Sequence, residues 1–148
     1  GNGGSASTAD HFETDLSFIK ATIELPKVRA YSLCSNNSLI TAIANDIGYD
    51  NVFSHQIKRK AEAGDVLFVI SASGNSTNLI NAVNFANEND INTISLIGFD
   101  GGELVHSSKL SVFCRSEIGL YGPVEDLHLS ICHALASSLK NRLVGAAS

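Results

Sequence analysis

Short apolar runs alternate along this chain with longer stretches of helical periodicity, and glycine or serine stands at most junctions. Strands are predicted over residues 29–34, 66–71, 93–97 and 110–114, the last three rich in Val, Ile, Leu or Phe. The second reads Val-Leu-Phe-Val-Ile-Ser, apolar up to its last residue, as a strand covered on both faces does in a parallel sheet. Helices are predicted over residues 5–20, 38–44, 51–63, 77–89 and 124–143. This alternation predicts an α/β doubly wound fold with helices flanking a parallel sheet. No repeat or linker interrupts it, so residues 1–148 are expected to form a single domain.

The opening Gly1-Asn2-Gly3-Gly4-Ser5 has the character of a turn between a strand and a helix. In parallel α/β sheets such turns lie at the carboxyl end of a strand and form the binding crevice. A first strand upstream of residue 1 is therefore expected, and the chain also contains no Met.

Composition narrows the picture. Apolar residues make up 44% and charged residues 17%, the mix of a globular core rather than a disordered tail. No run approaches the roughly 18 apolar residues of a membrane span, so no membrane partner is expected. Ten Lys and Arg against fifteen Asp and Glu give a net charge of −5. The only basic cluster, Lys58-Arg59-Lys60, is followed by Glu62 and Asp65 and reads as a solvated helix face. Without clustered cations to neutralise phosphates, no nucleic-acid partner is expected. Cys34, Cys114 and Cys132 are widely spaced with no Cys-x-x-Cys, which points to reduced thiols in a cytoplasmic protein.

Four groups of residues could carry chemistry. Ser71-Ala72-Ser73-Gly74-Asn75-Ser76-Thr77 falls between the most apolar strand and a predicted helix. Its four hydroxyls, its glycine and the free N–H groups of a helix start suit an anion, and the helix dipole adds roughly half a positive charge. A helix cap needs one hydroxyl, so phosphate is the expected ligand. His11 and Asp15 stand at i and i+4 on the first helix and share a face. Such a pair can bind a metal, act as acid and base, or form a surface hydrogen bond. On the last helix Glu125 and His128 are one turn apart, while His133 lies roughly 12 Å beyond Glu125 along the axis. Next to Leu127 and Ile131, these histidines would equally suit hydrogen-bonded core positions. Asn45-Asp46, before Gly48, reads on spacing alone as a helix stop.

Together GNGGSASTADHF from residue 1, LITAIANDIGYDNVFSHQI from residue 39, GDVLFVISASGNSTNLINAV from residue 64, IGFDGGEL from residue 97 and VEDLHLSICH from residue 124 resemble the sugar isomerase (SIS) domain family. Within it they are most similar to the sedoheptulose 7-phosphate isomerases. The resemblance implies a five-stranded parallel sheet whose first strand ends at the glycine turn, with N-terminal helices used in tetramer assembly. By position it implies that Asn2, Gly3, Gly4 and Ser5 contact substrate hydroxyls and that Asn45 and Asp46 line the same pocket. Ser71, Ser73 and Ser76 would hold the phosphate, with Ala72 where the family usually has Thr.

His11 and Asp15 correspond to a metal-binding histidine and a catalytic glutamate. Glu125 and His133 correspond to a glutamine and a histidine that complete the metal site. Asp15 is one methylene shorter than the family's Glu and reaches about 1.5 Å less far, while Glu125 adds a negative charge and could also contact substrate. Two imidazoles and two carboxylates suit Zn²⁺ or another divalent ion. The implied activity is aldose–ketose isomerisation of a phosphosugar, with Asp15 and His133 as acid and base and Glu125 as a substitute base. His11, Asp15, Glu125 and His133 are expected to converge across a subunit interface of a homotetramer. The alternative is a non-catalytic member of the fold: a phosphosugar-binding regulator, or a tetrameric protein that binds a replication initiator.

Overall fold

A computed structural model describes residues 1–19 and 27–147. The elements follow in the order α1 (Gly4–Ser17), α2 (Asn37–Asp46), a 3₁₀ turn (Tyr49–Asn51), α3 (Ser54–Lys60), β1 (Val66–Ser71), α4 (Thr77–Glu88), β2 (Asn92–Ile97), α5 (Leu104–Ser107), β3 (Leu110–Phe113) and α6 (Tyr121–Ala147). The three strands lie in the order β1-β2-β3 and are parallel throughout, as the apolar runs predicted. Ser71 is level with Ile97, and Ile97 with Phe113, so the carboxyl ends form one edge. Among the described residues β1 has a strand neighbour on one side only, and the sheet has three strands where the resemblance implied five.

Alternate side chains of the strands point to opposite faces, and each face is covered. Phe68 and Ile70 of β1, with Leu96 of β2, meet Ala9 and Phe12 of α1 and Ile131 and Cys132 of α6. The Phe12 and Phe68 rings are 5.1 Å apart at 57°. On the other face Leu67, Val69 and Ile97 pack against Leu79, Val83 and Ala86 of α4, Ile57 of α3 and Val52 and Phe53 after the 3₁₀ turn. Helices on both sides of a parallel sheet make this the doubly wound α/β architecture.

Residues 29–34 are not a strand. A strand needs a partner for its ladder, and here side chains take the backbone groups instead. The Ser32 N–H donates to Glu13 Oε2 at 2.9 Å, and Gln56 Nε2 donates to the Leu33 carbonyl at 2.9 Å. The Ser32 hydroxyl bonds to Asp10. The helix predicted over 51–63 is broken, because Val52 and Phe53 are drawn into the core between the 3₁₀ turn and α3. It also stops early, where Ala61 turns extended. Lys58, Arg59 and Lys60 occupy its last turn, where cations complement the helix dipole. The first helix ends at Ser17, three residues short of the prediction, and Lys20 lies outside the described residues.

α6 buries a four-residue stripe of Val124, His128, Cys132 and Ala136. His128 is fully buried, and among the described residues neither ring nitrogen makes a hydrogen bond of ordinary geometry, so it is a core histidine but not a well-satisfied one. Burial pushes its pKa below the usual histidine value, and the Ile97 backbone opposes this only in part. The unfolded chain takes up the proton near pH 6.5. Stability tied to the neutral ring is therefore present above that pH and lost as pH falls toward the lowered folded pKa. His128→Leu should flatten this loss: thermal melts followed by circular dichroism from pH 8 to 5 should show the wild-type Tm falling more steeply than the variant's. Parallel curves would remove His128 as the cause.

Candidate active site

The carboxyl edge of the sheet carries the hydroxyl-rich loop between β1 and α4. The Ser71 hydroxyl accepts the Gly74 N–H at 3.0 Å, and the Ser73 hydroxyl accepts that of Asn75 at 3.3 Å. Gly74 has φ 68°, and its Cα faces the Gly101 carbonyl closely enough that a β-carbon would strike backbone. This contact lets the loop after β2 brace the first one. Leu104 N–H donates to the Gly74 carbonyl at 3.0 Å, and Glu103 N–H to Asn75 Oδ1 at 2.9 Å. Ser76 is the N-cap of α4 but makes no side-chain cap bond. Its hydroxyl and the first N–H groups of α4 are thus available at the positive end of a 12-residue helix. Ala72 instead enters a small apolar cluster with Phe99 and Val124, and has no polar atom to offer a ligand from its side chain.

α1 and α6 bring the second group together. His11 Nε2 and His133 Nε2 are 3.0 Å apart, with the rings edge to face at 4.9 Å. Asp15 lies between them, with Oδ1 3.7 Å from His11 Nε2 and Oδ2 3.7 Å from His133 Nε2. Both histidines are about half exposed and the carboxylate less so, which leaves the cluster open to a ligand. The expected convergence across a subunit interface is not needed for these three residues: one chain assembles them. Glu125 stands apart. Its carboxylate lies against the Cα of Gly4, where any β-carbon would displace it. Gly4 touches Glu125 and His11 touches His133, so the two helices run side by side in the same direction. Eight residues of α6 separate its two contacts, about 12 Å along the axis, which keeps Glu125 out of the histidine cluster.

The glycine turn is tied to α4. Asn2 and Asn78 form a reciprocal amide pair at 2.9 and 3.0 Å, and the Tyr49 hydroxyl donates to Asn2 Oδ1 at 2.9 Å. Gly3 is exposed and Ser5 is buried in the first turn of α1. Asn45 and Asp46 are exposed at the end of α2, joined by a 2.8 Å bond from Asn45 Nδ2 to Asp46 Oδ1. Sequence reasoning missed Asn78 and Tyr49, although each lies inside a quoted motif.

The SIS domain profile matches residues 1–98. The chain belongs to the SIS domain family. It is 36% identical over 145 residues to a phosphoheptose isomerase of Sulfurimonas denitrificans, covering 98% of this chain and 73% of that protein. It is 39% identical over 144 residues to a phosphoheptose isomerase of Shewanella denitrificans, covering 97% and 73%. Among solved structures, the phosphoheptose isomerase GmhA from Neisseria gonorrhoeae superposes with a TM-score of 0.82 at 35% identity, covering 95% of this chain and 73% of that one. A phosphoheptose isomerase from Francisella tularensis gives a TM-score of 0.77 at 28% identity, covering 92% and 70%.

In this SIS domain the donor set fits a divalent ion. Two ligand bonds of about 2.1 Å at a tetrahedral angle place their donor atoms about 3.4 Å apart. The observed spacings of 3.0, 3.7 and 3.7 Å bracket that value. Cys132 is close by but fully buried, and its thiol is pushed up to about 11, by burial first and then by the Asp15 charge. A raised thiol of this kind is a poor nucleophile. All three cysteines are free, as expected. No helix among the described residues is long and apolar enough to cross a membrane. Calorimetric titration with Zn²⁺ should saturate at one ion per chain, and His11→Ala should weaken it at least about tenfold. Equal affinity in the two proteins would place the ion elsewhere.

Proposed function

We propose that this SIS domain is an aldose–ketose isomerase acting on a phosphosugar, converting sedoheptulose 7-phosphate to D-glycero-D-manno-heptose 7-phosphate in a cytoplasmic homotetramer. The observation that carries this reading is the meeting of His133 with His11 and Asp15 across α1 and α6. Similarity to phosphoheptose isomerases along nearly the whole chain supports the substrate class. Leu127 and Leu135 are exposed on α6, and no described residue beyond Ala136 is buried there, which supports association of chains through this helix.

Isomerisation moves a proton between C1 and C2 through an ene-diol. Asp15 takes the proton from C1 while His133 gives one to the C2 oxygen. Asp15 then returns a proton to C2 as His133 removes the one on the C1 oxygen, leaving the aldehyde. With 3.7 Å between them, the two groups can balance charge as the proton moves. His11, Asp15 and His133 would hold a divalent ion, Zn²⁺ by the donor set, leaving the second oxygen of Asp15 and the second ring nitrogen of His133 for the proton transfers, and such an ion would supply polarisation of the carbonyl oxygen. Ser71, Ser73 and Ser76 hold the phosphate at the start of α4, which orients the sugar. Asn2, Gly3, Gly4, Ser5, Asn45 and Asp46 face the sugar hydroxyls. Glu125, lying against Gly4, belongs with this substrate-binding turn rather than with the ion.

His133→Ala should lower kcat at least about 100-fold, while phosphosugar affinity stays within about twofold. Turnover followed by NMR and binding by calorimetry check the two parts, and full activity would remove His133 from the chemistry. Ser76→Ala should weaken phosphosugar binding by about 1–3 kcal/mol, the range for a lost bond to a charged group. Because Ser76 makes no cap bond, Tm should be unchanged, and calorimetry showing unchanged affinity would remove the cradle.

A further inference from the structure

The reciprocal amide pair between Asn2 and Asn78 joins the turn before α1 to the first turn of α4, beside the serine loop. Asn78 is 2% exposed, so its amide is spent inside the protein. Asn2 Oδ1 has two acceptor positions. One takes the Asn78 N–H at 3.0 Å and the other takes the Tyr49 hydroxyl at 2.9 Å. Asn2 Nδ2 has two hydrogens, and one goes to Asn78 at 2.9 Å. Among the described residues the count leaves a single uncommitted N–H on the Asn2 amide, with its direction set by the three other bonds.

Tyr49 reaches Asn2 from the segment that follows Asn45 and Asp46. Tyr49 is 55% exposed, so packing does not explain its place. Its hydroxyl bond spans 47 positions of sequence and connects the end of α2 to the glycine turn. We propose that Tyr49 is a positioning residue for sugar recognition: with Asn78 it holds the Asn2 amide so that its one free N–H is presented to a hydroxyl of the phosphosugar. A preset donor loses less freedom on binding than a rotating one, so the contact adds to affinity for the sugar and not for the phosphate.

This rests on the proposed phosphosugar reading, and the test separates the two. Tyr49→Phe keeps the ring and removes only the hydroxyl. Binding of sedoheptulose 7-phosphate and of inorganic phosphate to wild type and variant would be measured by calorimetry, alongside kcat, KM and Tm. The expected result is a three- to tenfold loss of phosphosugar affinity, as for one neutral hydrogen bond. KM should rise equally, with kcat and phosphate affinity within about twofold of wild type and Tm unchanged. Phosphosugar affinity within twofold of wild type would overturn the role of Tyr49. Equal losses for phosphosugar and phosphate, or a lowered Tm, would overturn it in favour of a merely structural bond. Wild-type protein that binds phosphosugar without turning it over would sink the isomerase reading while leaving the Tyr49 comparison decisive. Wild-type protein that binds no phosphosugar would overturn both.

Discussion

α1 and α6 lie side by side and point the same way on one face of the sheet, and the histidine cluster depends on this contact. Ala9, Phe12, Ile131 and Cys132 press the two helices onto Ile70 and Leu96. Gly4 lets the pair close at its start, because any β-carbon there would meet the Glu125 carboxylate. With the start held, the 1.5 Å rise per residue carries His11 and His133 to the same height further along. Their nitrogens meet at 3.0 Å. The two imidazoles and the carboxylate stand on helices rather than on loops, which suits the proposed proton transfers.

The carboxyl edge of the sheet supplies the other part of the site by a different means. There the structure uses backbone, and two loops brace each other through the approach of Gly74 to the Gly101 carbonyl and through Asn75. The hydroxyl of Ser76 and the start of α4 remain uncommitted because Ser76 does not cap its own helix. One edge therefore offers preset donors for an anion, while the α1–α6 seam offers groups that can exchange protons. The Asn2–Asn78 pair fastens the start of α1 to the start of α4, so the two parts cannot drift independently.

Much of this was legible along the chain, and the failures share one cause. The strands at 66–71, 93–97 and 110–114 read correctly because each is a short apolar run whose burial does not depend on which neighbour covers it. Residues 29–34, Arg-Ala-Tyr-Ser-Leu-Cys, are more polar, and Asp10, Glu13 and Gln56 bond to that segment in place of a strand. The helix expected over 51–63 breaks because Val52 and Phe53 are worth more in the core than in a regular turn. His128 reads as one of several helix histidines, and only its neighbours show that its ring is fully buried.

By itself the sequence determined the three strands of the sheet, the hydroxyl-rich loop after an apolar strand and the pairing of His11 with Asp15, since all three rest on spacing within one segment. It also carried the likeness to SIS domains, which the comparisons bear out. Tertiary structure alone decided that His133 joins His11 and Asp15 within one chain, and that Glu125 rests against Gly4 instead. It decided likewise that Tyr49 and Asn78 hold Asn2. These residues are separated by up to 122 positions. Local periodicity says which face of a helix a residue occupies, but only the packing of helices on the sheet says which other face it meets.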